Sequence, residues 1–179
     1  MGFDLFDNQI LFNLLQLNEG VVVNENEIEC LTSIGAYKNL IGDFVLRSQR
    51  VHTFSFQVIS ALTFKIGVVE RSQVDQIRAK NETMNGAFSN FEGGFAIFSQ
   101  GFKRHKNSDI NKNSKIFKAF VPGDVVSVVF DSIKGVISFY VNQEFRGVLF
   151  VDEKFKNEEF YPAIAILGEG EKVKLTYFN

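Results

Sequence analysis

Tryptophan is absent from this 179-residue chain, and proline, methionine and histidine occur only twice each. Cysteine occurs once, at Cys30. A single thiol excludes an intramolecular disulfide and any structural zinc site built from several thiolates, and it fits a reducing compartment. Excess charge is lacking too: nineteen basic residues against twenty-one acidic ones leave a net charge of -2. That balance gives no global pull toward nucleic acid or anionic membrane. No apolar run is long enough to cross a bilayer, and Asp4 and Asp7 stand where a signal peptide has basic and then apolar residues. Phe6 occupies the place where myristoylation needs serine or threonine. The expected setting is soluble and intracellular, cytoplasmic or nuclear, without a membrane partner.

What the chain has in quantity is phenylalanine, twenty-one residues of it. Phenylalanine is expected to take the core positions that other sequences give to tryptophan, keeping the buried area and losing the indole donor. The length suits one domain whose core needs neither metal nor disulfide.

The most informative stretch runs from Phe120 to Phe150. Pro122-Gly123 signals a chain reversal, since proline presets one backbone angle and glycine tolerates positive φ. Val125, Val126, Val128, Val129 and Phe130 leave neither face polar, the pattern of a strand buried on both sides. Ile137, Phe139 and Val141 then alternate with Ser138, Tyr140 and Asn142. Three strands and two tight turns form a meander expected at the core of a β-sandwich. Upstream, His52, Phe54, Phe56 and Val58 alternate with Thr53, Ser55 and Gln57. Phe64–Val69 is expected as that strand's antiparallel neighbour. Val21–Val23 and Ile28–Leu31 read as two short strands, Asp43–Arg47 as another, 71–92 as loop, and Gly93–Ser99 as a strand followed by a loop to Asn107. Pro162–Leu167 and Lys172–Phe178 read as a closing hairpin through Gly168-Glu169-Gly170-Glu171. At the amino end, Ile10, Leu11, Leu14, Leu15 and Leu17 fall at helical spacing behind Asp7, which predicts a short helix over 7–17.

Pro122-Gly123-Asp124-Val125-Val126, Phe130-Asp131, Lys134-Gly135, Ile137-Ser138-Phe139-Tyr140-Val141-Asn142 and Gly147-Val148-Leu149-Phe150 together resemble the signature of the SPRY, or B30.2, domain family. Phe160–Ala165 resembles the family's next strand and Lys172–Leu175 its last. The departures are Ser127 and Gln143, where the family usually has glycine, and the missing tryptophan. The resemblance implies an all-β fold, a two-layer antiparallel sandwich over 20–179, preceded by an extension over 1–19 that holds the short helix.

No catalytic constellation accompanies it. His52 lies on the apolar face of a strand, and His105 lies in a basic stretch that disfavours its protonation and offers no acidic orienter. Nucleophile elbow, phosphate loop and paired-histidine metal motifs are all missing. Gly168-Glu169-Gly170 lacks the third glycine and the helix of a dinucleotide loop. Asn107, Asp109, Asn111 and Asn113 alternate like a calcium loop, but Lys112 and Lys118 stand where glycine and a bidentate glutamate are needed. Glu158 and Glu159 are adjacent and would point apart on a strand. No enzyme activity, metal or cofactor is expected.

Binding is the expected function. The resemblance implies a protein-interaction module whose loops at one end of the sandwich recognise a peptide or surface, in a substrate-recognition adaptor or scaffold. The alternative is a structural subunit of a large intracellular assembly. The family's pocket positions fall on Arg104 and on Leu167, Gly168 and Glu169. Arg104 replaces the aromatic found in members that hold asparagine-rich peptides and suits an acidic or phosphorylated ligand. With Arg50, Lys103 and Lys106, these are the expected partner-binding residues. Lys103–Lys118 carries six basic residues against Asp109, which keeps weak nucleic-acid or phospho-ligand binding as a further alternative. A sugar-binding sandwich is disfavoured by the missing tryptophan.

Overall fold

The computed structural model describes residues 20–24, 26–32, 35–61, 63–80, 86–106, 108–109 and 117–178. The helix expected over 7–17 lies outside them, as do residues 110–116 of the basic stretch.

Thirteen strands and two α-helices occur among the described residues: β1 (Val21–Asn24), β2 (Glu27–Cys30), β3 (Lys38–Ile41), β4 (Val51–Val58), β5 (Phe64–Glu70), α1 (Arg71–Lys80), β6 (Gly94–Phe98), β7 (Phe102–His105), β8 (Ser108–Asp109), β9 (Val125–Asp131), β10 (Val136–Val141), β11 (Glu144–Val151), α2 (Lys154–Asn157), β12 (Phe160–Ile166) and β13 (Lys172–Phe178). They form a seven-stranded sheet, β1-β2-β13-β4-β9-β10-β11, and a six-stranded sheet, β3-β12-β5-β6-β7-β8. All the pairings are antiparallel. The two-layer all-β architecture is therefore the one the sequence implied.

Phenylalanine fills the space between the sheets. Phe54, Phe56, Phe64, Phe130, Phe139, Phe155 and Phe160 are among the largest fully buried side chains. Phe95 meets Phe150, Phe155 and Phe160 edge-on at 4.9–6.1 Å between ring centres. Each such edge contact adds about 0.5–1.5 kcal/mol beyond the area it buries. Ile137, Phe139 and Val141 of β10 face this core, as their alternation requires.

The meander is β9-β10-β11, and it forms one edge of the larger sheet rather than the middle of the core. Gly123 turns the chain at φ +97°, and the Asp124 carboxylate accepts the Val121 N–H at 2.9 Å. The other tight turn needs positive φ at both central residues, and Asn142 (+52°) and Gln143 (+68°) adopt it without glycine. Asn142 secures it by donating to Asp124 at 2.8 Å and accepting the Val125 N–H at 2.9 Å. β9 departs from expectation: Val126, Val128 and Phe130 are buried, while Val125 and Val129 are half-buried on a face that nothing among the described residues fully covers. β11 ends the sheet with two register shifts against β10, irregularities that hinder a further strand from adding there.

Several expectations are corrected. β5 is not the neighbour of β4: the two lie in opposite sheets, and Ala61 is buried after the end of β4. β12 and β13 likewise lie in different sheets, so 167–171 is an arch over the end of the sandwich and not a hairpin turn. Strict alternation predicts faces but not which strand lies alongside, because both sheets offer the same kind of apolar inner face. Asp43–Arg47 forms no strand and touches β12 through one bridge, Leu46 to Phe160. Residues 102–105 form β7 instead of loop. Residues 71–80 form α1, where Val74 and Ile77 at helical spacing pack with Val69, Phe88 and Ala96 on the outer face of the six-stranded sheet. Apart from Ala79 its other residues are polar, so only tertiary contact fixes so short a helix. Asn39 holds the following segment down, accepting the Phe88 N–H at 2.6 Å and donating to Gly86 at 3.0 Å.

Candidate interaction surface

α1 and the turn at 88–90 cover part of the six-stranded sheet's outer face. On another part of that face, β7 places Arg104 opposite Ala96, and β6 and β7 pair Phe98 with Phe102. The Arg104 guanidinium lies 5.0 Å from the centre of Phe98 and 6.0 Å from that of Phe102. On β5, Lys65 is 5% exposed and sets its ammonium 4.2 Å from the centre of the Tyr37 ring and 5.6 Å from that of Phe98. Burial raises the Tyr37 phenol above its ordinary range, the Arg104 charge pulls it down and the Glu171 charge pushes it up. Tyr37 thus lies within electrostatic reach of Arg104 and of buried Glu171. Two cations against three aromatic rings make a surface suited to stacking and to charge-assisted hydrogen bonds.

The arch is held from within. Glu171 is buried and accepts the N–H groups of Thr63 at 2.6 Å and Gly168 at 2.9 Å. A Cβ on Gly168 would come within 2.7 Å of that carboxylate carbon, so the close approach requires glycine. β2 adds two backbone bonds, from Gly170 N–H to the Cys30 carbonyl at 2.8 Å and from Cys30 N–H to the Glu171 carbonyl at 2.9 Å. Burial raises the Cys30 thiol above its usual range, with the Thr32 carbonyl contact pulling the other way. A thiol of that kind is inert packing. The arch leaves Leu167 and Gly168 half-exposed and Glu169 and Gly170 exposed.

The expected partner-binding residues separate into distinct places. Arg104 lies against Phe98 and Phe102, while the 167–169 segment is tied to buried Glu171 through the Gly168 N–H. Lys103 points to the other face of β7 and spans the gap between the sheets, donating to the Leu149 carbonyl at 2.9 Å above the Phe150 ring. Lys106, at φ +53°, pairs with exposed Glu92 at 2.9 Å, and that contact lowers the Glu92 carboxyl. Arg50 lies in a separate cleft with Asp43, Arg47, Asn157, Glu158 and Glu159. His105 stacks on Phe95 at 4.1 Å and donates from Nδ1 to the Gly94 carbonyl at 2.9 Å. Its protonation is disfavoured first by burial and then by Lys106, so burial dominates over the charge emphasised by the sequence.

Tyr37, Lys65 and Phe98 escaped the sequence reading. The signal was Lys65, a lone lysine inside the apolar run Phe64–Val69; a cation at such a position is tolerated only where its stem or head meets aromatic surface.

Comparison with known proteins agrees with this architecture. The SPRY domain of human HERC1 superposes with a TM-score of 0.65 at 17% identity, covering 88% of this chain and 92% of that one. The TRIM65 PSpry domain gives 0.65 at 13% identity, covering 90% and 88%. The stonustoxin structure gives 0.61 at 17% identity, covering 88% of this chain and 25% of that one. No curated protein matches the sequence. The SPRY domain profile matches residues 51–179, and with the sandwich described above it establishes that this chain belongs to the SPRY domain family.

Proposed function

We propose that this domain is a non-catalytic protein-interaction module whose partner sits on the outer face of the six-stranded sheet, between Arg104 and the 167–169 arch. The observation that carries the reading is the Arg104 guanidinium set against the Phe98 and Phe102 rings, on the same sheet face where Lys65 meets Tyr37 and Phe98. A stiff sandwich below and an internally bonded arch beside them let the surface bind with little ordering cost. The Arg104 guanidinium, flanked by Phe98 and Phe102, favours a partner group that is planar and anionic, such as a carboxylate. In a cell, the domain serves as the recognition arm of an adaptor or as a scaffold in a larger intracellular complex.

The test is capture of partners from a lysate of the protein's own source, comparing the wild type with an Arg104→Ala/Glu169→Ala double variant of equal thermal stability. Loss of the specifically captured proteins from the variant is expected. Their undiminished capture would move the contact to another surface and overturn the assignment.

A further inference from the structure

A second cleft, of about 690 Å³, is lined by Asp43, Phe44, Val45, Arg47, Ser48 and Arg50 and by Asn157, Glu158 and Glu159. The Leu46 to Phe160 bridge joins these two segments, with the Leu46 N–H bonded to the Phe160 carbonyl at 2.8 Å and both side chains fully buried. One wall is a tight turn, Arg47-Ser48-Gln49-Arg50, with Gln49 at φ +61°. Ser132, itself fully buried, stitches that turn: its hydroxyl accepts the Arg50 N–H at 2.9 Å and faces the carbonyls of Arg50 at 2.7 Å and Arg47 at 3.2 Å. His52 Nε2 donates to the same Arg47 carbonyl at 3.3 Å. A left-handed non-glycine residue held by buried hydrogen bonds marks a rigid turn, and this one presents an exposed arginine at each end.

The 43–50 wall is net basic, with Arg47 and Arg50 against Asp43, and the 157–159 wall is acidic. Arg47, Arg50, Asp43 and Glu158 form no ion pair among the described residues, whereas Glu159 is engaged by Arg71 at 3.3 Å. Two arginines against Asp43 and Glu158 cancel, so a simple anion gains little there. A ligand carrying both signs gains at both walls. In an extended peptide successive side chains point to opposite sides. Alternating acidic and basic residues therefore direct every acid to one wall and every base to the other.

We propose that this cleft is a second protein-interaction site, which takes an extended partner segment of alternating acidic and basic residues, acids toward Arg47 and Arg50 and bases toward Glu158. Residues 1–19 of the chain itself do not fit, since they carry Asp4, Asp7 and Glu19 and neither lysine nor arginine. The site is independent of the Arg104 surface, and its failure leaves that assignment standing.

The probe is a fluorescein-labelled eight-residue peptide of alternating aspartate and lysine, titrated by anisotropy at low salt against the full chain. Its control has the same composition in two blocks, four aspartates and then four lysines. Saturable binding of the alternating peptide, at least about tenfold tighter than the block peptide, is expected (about 1.4 kcal/mol per tenfold). Arg47→Glu/Arg50→Glu and Glu158→Lys are each expected to weaken it by a similar factor, and Arg104→Ala to leave it unchanged. All are surface changes, and melting curves verify that the variants fold. Equal binding of the two peptides, indifference to the wall variants, or no saturable binding below millimolar concentration would each overturn the proposal.

Discussion

Removing one hydroxyl, by Ser132→Ala, tests the rigidity of the 47–50 turn directly. The side chain is fully buried, so no water replaces what is lost. Its oxygen accepts one N–H, from Arg50, and its single proton is shared between the carbonyls of Arg50 and Arg47. Two hydrogen bonds therefore disappear, each worth about 0.5–1.5 kcal/mol. Two bonds that share the turn with His52 and with the backbone contact from the Ser132 N–H to the Arg50 carbonyl at 3.0 Å belong near the middle of that range. A loss of about 2 kcal/mol results, which in a domain of this size lowers Tm by roughly 4–8 °C. Urea titration followed by circular dichroism measures it, with an unchanged slope showing that the midpoint alone has moved. Ser138→Ala is the control, a half-buried serine on the outer face of β10; it should stay within about 0.5 kcal/mol of the wild type. A Ser132→Ala loss no larger than the control's would refute the stitched turn. It would also remove the preorganisation argument for the cleft that the turn borders.

Two further outcomes follow from local geometry. Gln143 sits at φ +68° in a turn whose neighbour Asn142 already carries the hydrogen bonds; left-handed backbone strains an L-residue by about 1–2 kcal/mol, and the entropy of glycine in the unfolded chain returns part of that. Gln143→Gly should therefore stabilise the fold by about 0.5–1 kcal/mol, and a lower Tm would mean that the glutamine side chain contributes more than the strain removes. Burial lowers the His105 pKa in the folded chain, so the unfolded chain binds the proton more tightly. Stability from the neutral ring is thus fully present above about pH 6.5 and declines as pH falls from there toward the folded value. His105→Phe, which retains an aromatic ring against Phe95, should flatten the stability profile between about pH 5 and 7 relative to the wild type. Parallel profiles for the two proteins would show that His105 does not drive the slope.

Much of the fold was written locally. β10 alternates Ile137, Phe139 and Val141 with polar residues because one face meets the core, and period two in the sequence is period two in space. Pro122-Gly123 turned the chain where those residues preset or permit the required angles, and the SPRY signature ran through the same meander. The resemblance also marked Arg104 and 167–169, which the proposed interaction surface takes up. The three-dimensional pairing of elements was not written locally. Alternation in β4 and β5 says that each has an inward face, and it is silent on whether they lie side by side or across the core, because the inter-sheet gap is filled by phenylalanine from both. α1 was hidden because two apolar residues, Val74 and Ile77, make a helix only when a sheet face is there to receive them. Lys65 of β5 and Tyr37, just before β3, are separated in sequence, and what joins them is a ring lying beneath an ammonium. The Arg47–Arg50 turn owes its shape to Ser132, eighty-two residues beyond Arg50. Sequence by itself determined the layers, the turns of the 120–150 meander and the family; tertiary structure decided which strands pair and which charges meet, since those depend on contacts between residues far apart along the chain.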